Sequence, residues 1–200
     1  MTSQADIRKQ IRKHRNNLSA QEQNLAAQNV LRHIKQLGLI LKHQHFACYL
    51  AAQGEIQTHN LIDYLWTHHK VCYLPILHWS KQNKLQFMPF DDETTLIYNR
   101  YGILEPLQQA NLIPSPWSID VLFIPLVAFD IDGHRVGMGG GYYDRTLSFL
   151  LRRRRWTKPK LIGLAYEFQK VDSIPKQAWD IPLDIVITET TIYKPSKLEN

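Results

Sequence analysis

With 200 residues and a mass of 23.4 kDa, the chain is long enough for one domain with a sizeable core. Its 44% apolar and 21% charged residues are ordinary for a soluble globular protein. No apolar run approaches a membrane span, and the start, MTSQADIRKQIRKHR, lacks the apolar stretch of an export signal.

The formal net charge of +6 is concentrated in two patches. Arg8, Lys9, Arg12, Lys13 and Arg15 form one, and Arg152 to Arg155 with Lys158 and Lys160 the other. The first could mimic a mitochondrial presequence, but residues 6–18 read as a structural helix. The arginine run reads most simply as a solvated helix end, where the dipole favours cations. Cys48 and Cys72 lie in the apolar stretches FACYL and VCYLPIL and read as small core residues. Without an export signal, a reducing cytoplasm is the expected location.

Ile7, Ile11 and Leu18 give the first helix, over residues 5–17, an apolar stripe of helical period. Ser19 with Glu22 three residues on forms a capping box, opening a second helix that runs to about Leu37 and stops at Gly38. FACYLA is a strand, Thr58 caps a helix through His69, and KVCYLPIL is the next strand. Lys84 to Met88 gives a short edge strand. Residues 89–120 read as irregular, Val121 to Phe129 as the central strand, and Tyr142 to about Arg154 as a helix. Strands at 160–165 and 184–188 follow, and residues 189–200 read as a loosely ordered tail. Strands that alternate with helices and are too continuously apolar for one wet face predict an α/β fold. The expectation is a mostly parallel, Rossmann-like three-layer sheet in a single domain spanning residues 1–200. Its ligands would gather at the C-terminal strand edge, where Ala51–Glu55, a glycine loop and the Tyr166-Glu167 segment converge.

That loop is the most informative stretch. A tight turn at Asp132-Gly133 leads to Gly137, Gly139, Gly140 and Gly141, and then to a helix. Such a loop can aim backbone N–H groups into one concavity and admit a ligand closely. A helix start would add its own amides and dipole, and Arg135 and Arg145 bracket the whole. A phosphate chain is the simplest ligand. Gly137-Met-Gly-Gly-Gly-Tyr142 fits neither the P-loop nor the dinucleotide spacing, so the chemistry must come from its neighbours Arg135, Tyr142, Tyr143 and Asp144.

Phe129-Asp130, Gly133, Arg135, Gly137, Gly139 and Gly141-Tyr-Tyr-Asp-Arg145 together resemble the signature of the 5-formyltetrahydrofolate cyclo-ligase family. The likeness extends over nearly the whole chain. It takes in the basic first helix, Leu50 to Thr58, Tyr73-Leu-Pro75, Gly102-Ile-Leu-Glu-Pro106 and Pro182-Leu-Asp184. It implies ATP-dependent closure of 5-formyltetrahydrofolate to 5,10-methenyltetrahydrofolate, with Mg²⁺ and release of ADP and phosphate. Arg8 and Arg12 would contact ATP, with Arg15 further along the same row. Arg135, Val136, Gly137, Met138, Gly139, Gly140, Gly141, Tyr142 and Tyr143 would wrap its phosphates. Leu50 and Glu55, with Met138 to Tyr142, would contact folate, Tyr142 facing the pterin or formyl group and one tyrosine of the pair anchoring the core. Arg135 and Tyr142 are the expected catalytic residues, and Asp144 and Asp184 the Mg²⁺ ligands.

The substrate's glutamate tail is anionic, so a polyglutamylated form could be steered by the basic patches, including Arg152–Arg155. A monomer is expected, with no nucleic-acid or membrane partner. Two rival classes are a nucleic-acid-associated protein using its basic patches, for which no nucleic-acid motif is present, and a sugar-phosphate or acyl-transfer enzyme on a related sheet.

Overall fold

The structure, a computed structural model, describes residues 3–78, 83–107, 115–152 and 158–196. Helix α1, Gln4–Asn16, lies within one residue of the expected bounds at each end. Ser3 accepts the Asp6 amide and Asp6 reaches back to Ser3, a capping box built with aspartate. Helix α2, Ala20–Gln36, begins with the expected Ser19–Glu22 box. Gly38, at φ +62°, turns the chain into the short α3, Leu39–Lys42.

Strand β1, His45–Ala47, leads through a loop to α4, His59–Thr67, and then to β2, Val71–Leu77. Thr58 precedes α4 but does not cap it with its side chain. Its hydroxyl donates instead to the Tyr49 carbonyl, and its own carbonyl takes the Ile62 amide. Strand β3, Leu85–Pro89, pairs antiparallel with β2 at one sheet edge. The stretch expected to be irregular holds a small hairpin, β4 (Leu96–Tyr98) with β5 (Leu104–Pro106).

The expected central strand over 121–129 is broken. β6 is Val121–Pro125, and Ala128–Phe129 forms β7, which pairs with β8, Arg135–Val136, in a separate hairpin. The glycine loop therefore follows a folded-back hairpin rather than a strand of the main sheet. The helix after it is also shorter than expected. α5 is one turn, Tyr142–Thr146, followed by a 3₁₀ turn at Ser148–Arg152. Leu147 and Leu150 both enter the core, a three-residue spacing that a 3₁₀ turn satisfies. The rest of the expected helix, and Arg153–Arg155 with it, lies outside the described residues.

β9 (Lys160–Leu164), β10 (Ile185–Ile187) and β11 (Ile192–Tyr193) complete a seven-stranded sheet of order β11-β10-β9-β6-β1-β2-β3. It is parallel in the middle and antiparallel at both edges. β11 corrects the expected loose tail, because the chain is ordered into the sheet as far as Tyr193. One face carries α2 and α4 through Val30, Ile34, Leu61, Ile62 and Leu65. The other is covered by the β7–β8 hairpin, α5 and the 174–183 segment through Phe129, Leu147, Leu150, Ile181 and Leu183. Helix α1 lays Ile7 and Ile11 on Val127, Ala128 and Val136. The chain leaves β1 toward β2 and leaves β6 toward β9, so the order reverses between β1 and β6, the place where such sheets take ligands. No helix among the described residues is long and apolar enough to cross a membrane.

Candidate functional site

At the strand ends beside this reversal, α1, the loop after β1 and the glycine loop come together. In the glycine loop, Gly139 (φ +99°) and Gly141 (φ +61°) take left-handed conformations that other residues rarely adopt. A Cβ on Gly140 would lie 2.7 Å from the Tyr142 ring. The loop's carbonyls are held by arginines. Arg8 Nε donates to the Gly137 carbonyl at 2.8 Å, and Arg145 Nη2 donates to that of Gly140. A trans peptide points its N–H opposite its C=O, so these bonds fix which way the next amides face. Among the described residues, the amides of Gly137 to Gly141 donate to no protein acceptor. The cradle is therefore made of loop amides rather than of a helix end, since one turn of α5 carries little dipole.

Arg12 Nη2 lies 3.7 Å from Met138 Sδ. Arg8, Lys9, Arg12, Lys13 and Met138 line one open groove of about 710 Å³ along α1. Arg15 departs from the expected row. It is 1% exposed and turns inward to donate to the Leu126 carbonyl.

Arg135 and Arg145, expected to bracket the cradle as fixed cations, are held in place by contacts within the protein. Arg135 Nη2 meets Asp144 Oδ1 at 2.6 Å and its Nη1 donates to Ile181 O. Arg145 Nε donates to Asn83 O at 3.2 Å. Val136 is buried in the hairpin.

The tyrosine pair divides as the sequence suggests. Tyr143 packs on the core, and burial first, then the Glu55 charge, pushes its phenol well up. Tyr142 faces outward. Arg100 Nη2 donates to its hydroxyl at 2.6 Å, and Tyr101 Oη lies 2.8 Å from it. Partial burial works against its ionisation, but the hydrogen bonds from Tyr101 and Arg100 outweigh it and lower the phenol's pKa. Arg100 and Tyr101 belong to the β4–β5 turn and were missed in the sequence. Their only signal is the polar Asn-Arg-Tyr-Gly turn beside Gly102-Ile-Leu-Glu-Pro106.

Leu50 packs at the edge of the α2–α4 core, and Glu55 is 7% exposed in a tight turn, accepting the Ala52 amide at 3.1 Å. Burial raises the Glu55 carboxyl above 4.5, opposed by that amide and by Arg15. Asp144 Oδ1 takes Arg135 and the Ile181 amide, while its Oδ2 accepts no hydrogen bond among the described residues. One carboxylate oxygen of this kind suits a sparsely held Mg²⁺. Asp184 sits at the other, N-terminal end of the strands, where its Oδ2 accepts the Leu161 amide at 2.8 Å. Asp130, Asp132 and His134 form a further cluster of possible ligand atoms. Both Asp130 oxygens there are engaged by the hairpin's own amides, the His134 ring and the Ile174 amide.

Fold and site together define an α/β protein whose glycine loop, with no protein acceptor for its amides among the described residues, lies at a strand reversal. The sequence profile of the 5-formyltetrahydrofolate cyclo-ligase family matches residues 1–189, and the chain belongs to that family. It is 42% identical to the 5-formyltetrahydrofolate cyclo-ligase of Haemophilus influenzae, over 90% of this chain and 95% of that one. The Escherichia coli K12 protein of the same name is 37% identical over 92% and 99%. Among solved structures, the 5,10-methenyltetrahydrofolate synthetase of Aquifex aeolicus superposes with a TM-score of 0.79 at 30% identity, covering 98% of this chain and 96% of its own.

Proposed function

We propose that the chain closes 5-formyltetrahydrofolate to 5,10-methenyltetrahydrofolate at the expense of ATP. The observation that carries this reading is the set of amides at Gly137 to Gly141 that meet no acceptor among the described residues, with Arg8 and Arg12 on the same loop. Amides and guanidinium groups are what a triphosphate needs, and a buried carboxylate suits the donor-rich edge of a pterin.

An N-formyl group is a poor electrophile. Transfer of the ATP γ-phosphoryl group to the formyl oxygen releases ADP and leaves an iminium phosphate. The neighbouring folate nitrogen then attacks the formyl carbon and loses its proton. Departure of phosphate leaves the methenyl bridge. In this reading Arg8 and Arg12 leave their resting contacts on the loop to neutralise the phosphates. Arg135, held by Asp144 and Ile181 O, keeps a fixed positive charge beside the transfer. Tyr142, made more acidic by Arg100 and Tyr101, would donate to the formyl oxygen. Leu50 and Glu55 hold the pterin. Asp144, whose second oxygen is open among the described residues, would hold Mg²⁺, which when bound supplies charge neutralisation at the phosphates; Asp184, on the Leu161 amide at the opposite end of the strands, stands apart from it, against the expected pair.

The buried free thiols Cys48 and Cys72 suit a reducing cytoplasm. The test is absorbance of the methenyl product with ATP, Mg²⁺ and 5-formyltetrahydrofolate. Product is expected only when all three are present, and product without ATP defeats the reading.

A further inference from the structure

Arg15 joins the folate-side turn to the nucleotide-side helix. It lies in the last turn of α1, the helix that carries Arg8 and Arg12. Its Nη2 donates to the Leu126 carbonyl just beyond β6, which also accepts Gln169 Nε2 at 2.8 Å. Its Nε and Nη1 are buried and meet no acceptor among the described residues, and the buried Tyr166 hydroxyl is in the same condition. A guanidinium does not shed its charge, so burying it with unpaired nitrogens carries a cost that packing does not return. The turn above it is fitted to its backbone. Gly54 has φ +72°, and a Cβ there would fall 2.9 Å from Arg15 Cβ and 3.2 Å from the Arg15 carbonyl oxygen. The next residue is Glu55.

We propose that Arg15 is a positioning residue for the cyclisation, holding the Glu55 turn against the end of β6 so that its carboxylate meets the reduced pterin. This rests on the folate reading of Glu55 given above. Among the described residues, the groups coupled electrostatically to that carboxylate are Arg15 from α1, Tyr49 from the segment after β1, Tyr143 from α5 and Tyr166 from the segment after β9. Arg15 is the cation among them, with Arg12 next along the helix. Burial drives Glu55 toward its protonated form, and Arg15 opposes this. Without Arg15, the carboxyl would offer a proton where the pterin edge requires an acceptor. The same residue also sets how far α1 and its two phosphate-facing arginines stand from the folate turn.

The test compares Arg15→Lys and Arg15→Met with the unmodified protein in two ways. One is a ¹³C NMR titration of the Glu55 carboxyl in free protein. The other is the pH dependence of kcat/KM for 5-formyltetrahydrofolate at saturating ATP. Arg15→Met should raise the Glu55 midpoint by about one pH unit, and Arg15→Lys, which keeps the charge, by less. The acid limb of the folate profile should move by the same amount. The folate KM should rise roughly tenfold while the ATP KM stays within about twofold. In a Glu55→Gln background, Arg15→Lys should change the folate KM little, because the group it positions is gone.

An unmoved Glu55 midpoint, or equal losses toward ATP and folate, would overturn the proposal and leave Arg15 a structural residue. If Arg15→Met does not fold, Arg15→Lys decides by the same readings. An unmodified protein that makes no methenyl product would defeat the proposed function, whereas the NMR midpoint judges the Arg15–Glu55 link without any turnover.

Discussion

Asp120 and Asp184 stand where parallel strands begin, and each supplies an acceptor that the neighbouring strand lacks. Asp120 Oδ2 takes the Gln44 and His45 amides at 3.0 and 2.9 Å, and its Oδ1 takes Lys158 Nζ. Asp184 Oδ2 takes the Leu161 amide. At the opposite ends of the same strands, some polar groups meet no partner among the described residues: the amides of Gly137 to Gly141, two nitrogens of Arg15 and the Tyr166 hydroxyl. The contrast separates the clamped end of the sheet from the end that carries the proposed site. Among the described residues, Asp120 and Asp184 satisfy the strand starts from within the protein, and the unpaired groups gather at the strand ends, where the proposed site lies. Substitutions at the two ends should therefore separate in what they change.

The largest effect is expected at Arg135. Arg135→Ala should lower kcat/KM by roughly a thousandfold, about 4 kcal/mol of transition-state stabilisation. Because the Arg135 side chain is only 6% exposed and paired with Asp144, some loss of Tm should accompany it. Steady-state kinetics beside a thermal melt would show both. A variant with full turnover removes Arg135 from the site.

At the opposite end, Asp120→Ala should act on stability alone. Losing the acceptor for two amides and a lysine should cost about 2–3 kcal/mol, a fall in Tm of several degrees, with turnover at 25 °C nearly unchanged. The pH dependence has a definite sign. Burial raises the Asp120 carboxyl, but Lys158 and the amides of His45 and Gln44 outweigh it and hold it at about 2, below its ordinary 3.8. Its contribution is thus present above 3.8 and lost as pH falls through about 2. Acid melts of Asp120→Ala should lack that part of the decline. Asp184→Asn sharpens the comparison further. As a strand clamp only, it should lower Tm by about 1 kcal/mol equivalent and leave the Mg²⁺ requirement alone. As a metal ligand, it should raise the Mg²⁺ concentration for half-maximal activity.

Tyr142→Phe should have a smaller and more selective effect. Removing the hydroxyl that Arg100 and Tyr101 address should lower kcat/KM for folate roughly tenfold, about 1.4 kcal/mol, with ATP affinity unchanged in a separate titration. Equal weakening toward both substrates would place Tyr142 in the general packing of the loop.

The stable end was the more legible in the sequence. The Ser19–Glu22 box, the parallel order and the strand runs follow from local rules that the fold obeys. The break after Pro125 was not legible, because Val121 to Phe129 is apolar throughout and reads as one strand. What divides it is tertiary. Arg15 and Gln169 take the Leu126 and Val127 carbonyls that a continuing ladder would have used. The short α5 was hidden in the same way, since Leu147 and Leu150 fit a helical pattern until the sheet beneath them selects the tighter turn. In the site, the glycines and Tyr142 were legible as a loop for a ligand. Arg15 was not, because its spacing from Arg8 and Arg12 is that of a single helix face, and only the packed fold shows it turned inward. Arg100 and Tyr101 reach Tyr142 across 42 and 41 positions, a distance that no local pattern spans.

The smallest expected effect is on stability at Glu55, and its sign is opposite to that at Asp120. A carboxyl whose folded pKa lies above 4.5 binds its proton more tightly in the fold than in the unfolded chain. Its contribution is complete below 4.5 and is lost as pH rises through the folded value. At neutral pH the ionised form is therefore a strain on the fold that Arg15 and the Ala52 amide only partly relieve. Glu55→Gln keeps the shape and an acceptor for the Ala52 amide while removing the charge. It should raise the Tm at pH 7 by about 1–3 °C, a fraction of a kcal/mol for a domain of this size. At pH 4 the gain should vanish, because there the natural residue is itself neutral. The same variant should raise the folate KM, so that stability improves where binding worsens. A Glu55→Gln protein less stable at pH 7 than at pH 4, relative to the unmodified chain, would mean that the Arg15 charge outweighs the burial. The strand ends would then be as well satisfied as the strand starts.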